Sequence, residues 1–250
     1  MAKRRVDTLL VERGLAESRE KARAAVLAGD VLVGESLVAK PGALVDEAVE
    51  LRLLAKPAYV GRGGEKLARA LAALAVSVEG LTVVDVGAST GGFTDCLLQE
   101  GARRVYAVDV GYGQLDYRLR QDSRVVVMER VNARYLRSLP EEMDLATVDV
   151  SFIGLETVLP AVARLVKPGA HIVALFKPQF QARKSEVGKG GVVRDPLLVA
   201  TLVGRFAAWA VEQGFRIRGL TPSALLGPAG NQELFLMLQA TDVARGKAGG

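Results

Sequence analysis

Two lysines and two acids, Lys66, Asp149, Lys177 and Glu233, form the set on which a reaction could be built. Asp149 closes an apolar run in Thr147-Val148-Asp149-Val150-Ser151-Phe152, and Lys177 closes another in Ala174-Leu175-Phe176-Lys177-Pro178. Lys66 stands before the first large strand in Gly63-Gly64-Glu65-Lys66-Leu67, and Glu233 opens the last in Gly230-Asn231-Gln232-Glu233-Leu234. Singly, each reads as a surface charge or half of a salt bridge. Together they suit the activation of a hydroxyl such as a ribose 2′-OH, a poor nucleophile that needs a base or strong positioning. Lys177 leaves an apolar strand, so partial desolvation favours a neutral amine able to take a proton. A second cation assists that, and the acids orient the set and balance its charge. An electrophile already activated on sulfonium needs no metal.

The elements that must position these residues alternate strand and helix. Strands are expected near 81–86, 104–110, 125–129, 144–150 and 170–177, with helices between. That is an α/β pattern with a doubly wound, mostly parallel sheet. An amphipathic helix over 195–213 is followed by strand candidates 215–221 and 233–240, close enough for an antiparallel pair at the sheet edge. Asp149 and Lys177 then share the carboxyl edge, where such sheets place their ligands. Glu233 reaches the same edge because its strand runs the other way.

The first strand enters a glycine turn, Gly87-Ala88-Ser89-Thr90-Gly91-Gly92, before a helix from Phe93. Such a turn brings a ligand to the backbone at a helix N-terminus. Asp109 ends the next strand, at the spacing where an acid takes ribose hydroxyls. Three readings compete. A dinucleotide dehydrogenase wants Gly where Ser89 stands. An α/β-hydrolase fits Gly87-x-Ser89-x-Gly91, and even the order Ser89, Asp149, His171. However, His171 follows Lys167-Pro168-Gly169-Ala170 and is expected to open its strand at the wrong edge. An S-adenosylmethionine site tolerates the spacing and gives Asp85 a place under the loop, although Asp85 also reads as a turn-stabilising side chain. The expected cofactor set is Asp85, Gly87, Ala88, Ser89, Thr90, Gly91, Gly92, Phe93 and Asp109.

The 250-residue chain is half hydrophobic, with a formal net charge of +5 that suits a polyanionic partner or mere solubility. One cysteine, Cys96, excludes an internal disulfide, and with one histidine it makes a zinc site implausible. Cys96 reads as core. No apolar run follows the basic start and none reaches membrane-spanning length, so a cytoplasmic protein without a membrane partner is expected. The tail from Arg245 to Gly250 reads as disordered.

Residues 1–54 carry their own pattern. Asp7 is expected to cap a short helix ending at Gly14, and Ser18 a second running to Ala28 and stopped by Gly29. Short strands follow at 31–33, 37–38 and 49–53. Arg4, Arg5, Arg19, Lys21 and Arg23 load one region with positive charge, either a solvated helix face or a phosphate-binding one. Residues 55–63 read as a linker, and 64–250 as the sheet domain. Gln181 to Arg194, with Arg183, Lys184 and Lys189 among its glycines, reads as a mobile lid that closes on a phosphate backbone.

The N-terminal run Val6-Asp7, Gly14-Leu15-Ala16, Ser18-Arg19, Ala22, Gly29, Val31, Val33 and Lys40-Pro41-Gly42 resembles the small RNA-binding domain of ribosomal protein S-four, with Gly34 where that family often has Asn. Lys66, Asp149, Lys177 and Glu233 resemble, in order and context, the tetrad of the FtsJ-like RNA ribose 2′-O-methyltransferases. With Gly87-Ala88-Ser89-Thr90-Gly91-Gly92-Phe93-Thr94, Phe176-Lys177-Pro178-Gln179-Phe180 and Gly190-Gly191-Val192-Val193-Arg194-Asp195, the likeness narrows to the TlyA family, also labelled haemolysin A. The resemblance implies a seven-stranded, Rossmann-like S-adenosylmethionine-dependent fold and 2′-O-methylation of a cytidine in large-subunit rRNA, in some members small-subunit rRNA too. It implies ribosomal RNA or an assembled subunit as partner. Ala58-Tyr59-Val60 stands where some members carry Arg-Ala-Trp-Val. A membrane-active haemolysin and an inactive ribosome-binding protein are the rival classes, to be separated by haemoglobin release and by methyl-transfer assays.

Overall fold

The computed structural model describes residues 3–54 and 58–246. Contacts divide the chain into two units, Met1–Pro57 and Ala58–Gly250.

In the first unit, β1 (Lys3–Arg5) leads directly into α1 (Val6–Glu12), and α2 (Arg19–Ala28) packs on α1. Ser18 caps α2 by accepting from the Lys21 amide, and Gly29 ends it at φ +78°. Strands β2 (Val31–Val33), β3 (Ser36–Leu37), β4 (Leu44–Asp46) and β5 (Leu51–Leu53) follow. β2 lies between β3 and β5, while β4 pairs antiparallel with β1. Val6, Leu9, Leu10, Val26, Val31 and Leu51 are buried together as a thin core. Asp7 does not cap α1: Arg5 is the N-cap residue, and Asp7 lies inside the first turn, fully buried. β1 and β4 fall outside the expected strands: β1 is the charged run Lys3-Arg4-Arg5, and β4 is cut short by Asp46, so neither shows an apolar pattern like that of β2.

In the second unit, α3 spans Arg62–Ala73. The expected linker is therefore too long at its far end, since Arg62 and Gly63 belong to the helix. Tyr59 and Val60 pack on the core, and 55–57 lie outside the described residues. β6 (Thr82–Val86), α4 (Gly92–Gln99), β7 (Arg104–Val108), α5 (Tyr117–Gln121), β8 (Val125–Met128), β9 (Met143–Val148), α6 (Leu155–Leu165), β10 (Val166–Phe176), α7 (Pro178–Gln181), α8 (Pro196–Glu212), β11 (Phe215–Pro222), β12 (Leu234–Ala240) and α9 (Asp242–Gly246) complete it. The sheet order is β11-β12-β10-β9-β6-β7-β8, with β12 antiparallel to both neighbours and the other pairs parallel.

Both sheet faces are covered, so β6 is buried at every position and reads as a continuous apolar run interrupted by Asp85. One face packs on α6 and α8 through Phe176 and Phe206, whose rings meet edge to face. Deleting either ring costs about 3–5 kcal/mol. The other face packs on α3 and α4 through Leu67, Leu97 and Phe235. Cys96 is fully buried there, and burial pushes its thiol up to about 12. His171 does not open its strand. β10 begins at Val166, and His171 is where regular pairing with Leu145 resumes after an irregularity. Near the C-terminus, Arg245 lies in the last turn of α9 and pairs with Glu142, so this part of the expected tail is ordered, while 247–250 lie outside the described residues.

Candidate active site

The carboxyl ends of β6, β7 and β9 surround a cavity of about 350 Å³. β6 delivers the chain into Gly87 at φ +86°, where a Cβ would stand 2.3 Å from the Asp149 carbonyl oxygen. Only glycine fits this contact, which packs the turn against the end of β9. Two residues on, Ser89 holds φ +50°, an uncommon conformation for a residue with a side chain. Asp109 fixes it there: one carboxylate oxygen accepts from the Ser89 amide at 2.8 Å and the other from the Gly111 amide at 2.6 Å. Asp109 therefore shapes the loop as well as lining the cavity.

Of the expected cofactor residues, Gly87, Ser89 and Asp109 line this cavity, together with Gln114, Asn132 and Ile153, which sequence reasoning missed. Gly91 is the N-cap residue of α4, Gly92 its first residue, and Ala88 and Thr90 complete the turn without lining the cavity. Phe93 and Asp85 turn into the interior instead. Phe93 is core and stacks on Phe235. Asp85 is fully buried, accepting from Thr94 at 2.7 Å and Thr147 at 2.9 Å, and burial pushes its carboxyl up to about 6. Its role is to brace the turn from within.

The tetrad resolves into two ion pairs. Lys66, from the first turn of α3, meets Glu233 at 2.6 Å, both buried. Lys177, at the end of β10, meets Asp149, at the end of neighbouring β9, at 2.6 Å, and donates to the Ser151 hydroxyl at 2.8 Å. Desolvation alone thus misdescribes Lys177, whose ammonium has a carboxylate and a hydroxyl as partners. Sequence reasoning passed over Ser151, although it stands two residues after Asp149.

A second cavity of about 360 Å³ lies beside the first, lined by Lys177, Gln179, Phe180, Pro228, Asn231 and Glu233 among others. Ser151 and Phe152 line both cavities. Phe152 is 87% exposed, holds φ +68°, and its ring lies 5.2 Å from that of Phe180. A positive φ is an unfavourable backbone conformation for a phenylalanine. No sequence signal announces a positive φ at a phenylalanine.

The segment 181–194 is less free than a mobile lid. Glu186 accepts from the Arg183 amide and pairs with Arg205, and Val193 is buried. Asn231 holds its far end, accepting from the Val193 amide at 2.8 Å and donating to the Gly191 carbonyl at 2.9 Å. Arg183 is exposed, and Lys184 and Lys189 each open a short 3-10 turn.

Comparison with known proteins agrees with this geometry. Residues 59–240 match the model of the FtsJ-like methyltransferase family. The chain belongs to the FtsJ-like methyltransferase family, in its TlyA branch. Residues 4–51 match the S4 domain. Over 244 residues the chain is 48% identical to "16S/23S rRNA (cytidine-2'-O)-methyltransferase TlyA" of Mycobacterium tuberculosis, covering 96% of this chain and 91% of the relative. It is 49% identical over 243 residues to "Putative rRNA methyltransferase YqxC" of Bacillus subtilis, covering 94% and 85%. The solved "Putative hemolysin" of Streptococcus thermophilus superposes with a TM-score of 0.74 at 44% identity, covering 97% of this chain and 90% of that one. The FtsJ-like sheet is thus preceded by an S4-type unit.

In the S4 unit the basic residues are partly spoken for. Arg5 holds Asp7 through two hydrogen bonds of 2.9 and 2.7 Å, and Arg19 approaches Asp7 at 3.5 Å. The arginine beside it holds the Asp7 carboxyl down at about 2. Arg4 pairs with Glu12, and Lys21 with Glu17. Arg23 is exposed and has no ion-pair partner among the described residues. Among those residues no helix is long and apolar enough to cross a membrane.

Proposed function

We propose that this protein is a cytoplasmic enzyme that methylates the 2′-hydroxyl of a cytidine in ribosomal RNA, in the large subunit and in some settings the small. S-adenosylmethionine, held by the turn Gly87–Gly92 and Asp109, would supply a methyl group already activated on sulfonium, and the reaction needs no metal. The observation that carries the reading is the junction of the two cavities. The Lys177–Asp149 pair spans it, with Asp149 lining the first cavity and Lys177 the second. One cavity suits the methyl donor and the other the target nucleoside.

Lys177 orients the 2′-hydroxyl and Asp149 holds Lys177, so that the oxygen's lone pair points at the methyl carbon. As the O–CH₃ bond forms and the S–CH₃ bond breaks, the hydroxyl proton passes to the Lys177–Asp149 pair or to water. The buried Lys66–Glu233 pair balances charge beside them. Phe152 and Phe180 offer a stacking surface for the base, which must leave its helix to bring its ribose this deep. Arg4, Arg5, Arg19, Lys21 and Arg23 in the S4 unit, with Arg183, Lys184 and Lys189 in the sheet unit, take the phosphates. The S4 resemblance and the TlyA relatives support rRNA or an assembled subunit as the partner.

Tritiated methyl transfer to purified ribosomal subunits, followed by mapping of the modified ribose, tests this. A single 2′-O-methylcytidine is the expected product. Label on a base, or none on either subunit or on free rRNA, overturns the reading.

A further inference from the structure

Two half-buried side chains outside both cavities face each other just beyond the reacting pair. β9 and β10 are parallel neighbours, with Val148 opposite Ala174, and they end in Asp149 and Lys177. The chain leaves β9 through the loop 150–154, which carries Ser151 and Phe152, and enters α6. It leaves β10 through α7, which carries Phe180. Gln181 closes α7, and Glu156 stands in the first turn of α6.

With its carboxamide turned to satisfy both neighbours, Gln181 donates to the Glu156 carboxylate at 2.6 and 3.2 Å and accepts from the Leu155 amide at 2.9 Å. One side chain therefore joins the two segments that leave the two strands. The Phe152–Phe180 contact joins them again. Gly154 lies inside the bridge: a Cβ there would stand 2.7 Å from Glu156 and 3.2 Å from Gln181. Both side chains are half-buried, and burial raises the Glu156 carboxyl above its ordinary range.

We infer that Glu156 and Gln181 are positioning residues for methyl transfer, whose hydrogen-bonded bridge sets the spacing between the Ser151–Phe152 loop and the Lys177–Phe180 turn. The inference rests on the reading of the site as a methyltransferase centre. Neither residue lines a cavity, so their effect passes through Lys177, Ser151 and Phe152. Misplacement by about 1 Å at a reacting centre costs about a hundredfold in rate. Loss of one bridge, with the ring contact retained, should cost less.

The test uses the full-length chain with purified ribosomal subunits. Glu156→Ala and Gln181→Ala are each expected to lower kcat about tenfold, leaving KM for RNA and cofactor affinity within about twofold. The double variant should fall no further than the worse single one, because both remove the same bridge. Glu156→Gln, whose amide can still accept from Gln181, should keep at least about half of kcat. Full activity in either alanine variant overturns the inference. So does a Glu156→Gln variant as poor as Glu156→Ala, or a loss of cofactor affinity in step with kcat. Amide exchange gives a readout without turnover. Residues 151–155 and 179–182 should exchange faster in Glu156→Ala, with 87–92 unchanged, and unaltered exchange also overturns it. An inactive wild type would sink the proposed function, while the exchange result would still decide the bridge.

Discussion

Lys66 and Glu233, from the first turn of the first helix and the entry to the last strand of the sheet unit, meet at 2.6 Å with both side chains buried. The pair therefore ties the two ends of the catalytic unit together at the reacting edge. Breaking a buried pair leaves an uncompensated charge, at a cost of about 3–5 kcal/mol. Glu233→Leu is expected to lower stability by that order, and Lys66→Met with Glu233→Leu together by much less. Urea titration of Glu233→Leu, Lys66→Met and the double variant checks this, and an additive double variant would contradict it.

Lys177→Ala removes the ammonium from the junction and leaves the glycine turn untouched. Cofactor affinity by calorimetry should stay within about twofold, while single-turnover methylation falls by about a hundredfold or more. Near-normal single turnover in a folded variant would exclude the role assigned to Lys177.

Asp109→Ala should weaken cofactor binding by about 1.5–3 kcal/mol, the worth of hydrogen bonds to a charged acceptor. Because Asp109 also holds the Ser89 and Gly111 amides, those amides should exchange faster even without ligand. Unchanged calorimetric affinity would remove Asp109 from the binding site.

Two buried acids give the units opposite responses to pH. Asp7 is lowered from 3.8 to about 2, so its contribution is complete above pH 4 and is lost as pH falls through about 2. With Arg5 and Arg19 exposed and screened, that contribution is about 1–2 kcal/mol. Asp85 is raised from 3.8 to about 6, so the cost of its burial is absent below pH 4 and complete above pH 6. Relative to Asp85→Asn, the wild type should lose about 2–3 kcal/mol between pH 4 and pH 7. Denaturant melts of both proteins across that range check the sign, and parallel curves would refute it.

Arg23 is the cleanest probe of RNA binding, since Arg19 is engaged by Asp7. Arg23→Ala should leave the melting temperature unchanged and reduce the salt slope of RNA binding by about one phosphate contact. An unchanged slope would take Arg23 off the RNA-binding face.

The succession of strands along the chain and the edge on which Lys66, Asp149, Lys177 and Glu233 gather were legible because hydrophobic runs and glycine turns record the α/β alternation directly. The pairing of those four was not, since which acid meets which lysine depends on the lateral order of strands. Asp85 and Phe93 stand inside a cofactor-like motif, yet their side chains turn into the interior, and strand phase at a fully buried β6 leaves no polar alternation to reveal it. Asp7 looks like a cap by type, but it stands two residues past the N-cap, buried inside the first turn and held by Arg5. Ser151, Phe152 and Asn231 escaped because their importance lies in a hydrogen bond, a positive φ and a buried carboxamide, none of which has a periodic signature.

Gly87 meets the Asp149 carbonyl with no room for a single carbon between them. The turn that would carry the methyl donor and the strand end that holds the acceptor's ion pair are thus gauged against each other by an absent side chain. Adding one methyl group, as in Gly87→Ala, would force the turn and the end of β9 apart. The distance over which the methyl must travel is written into the backbone, at the position where the chain has the least chemistry of its own.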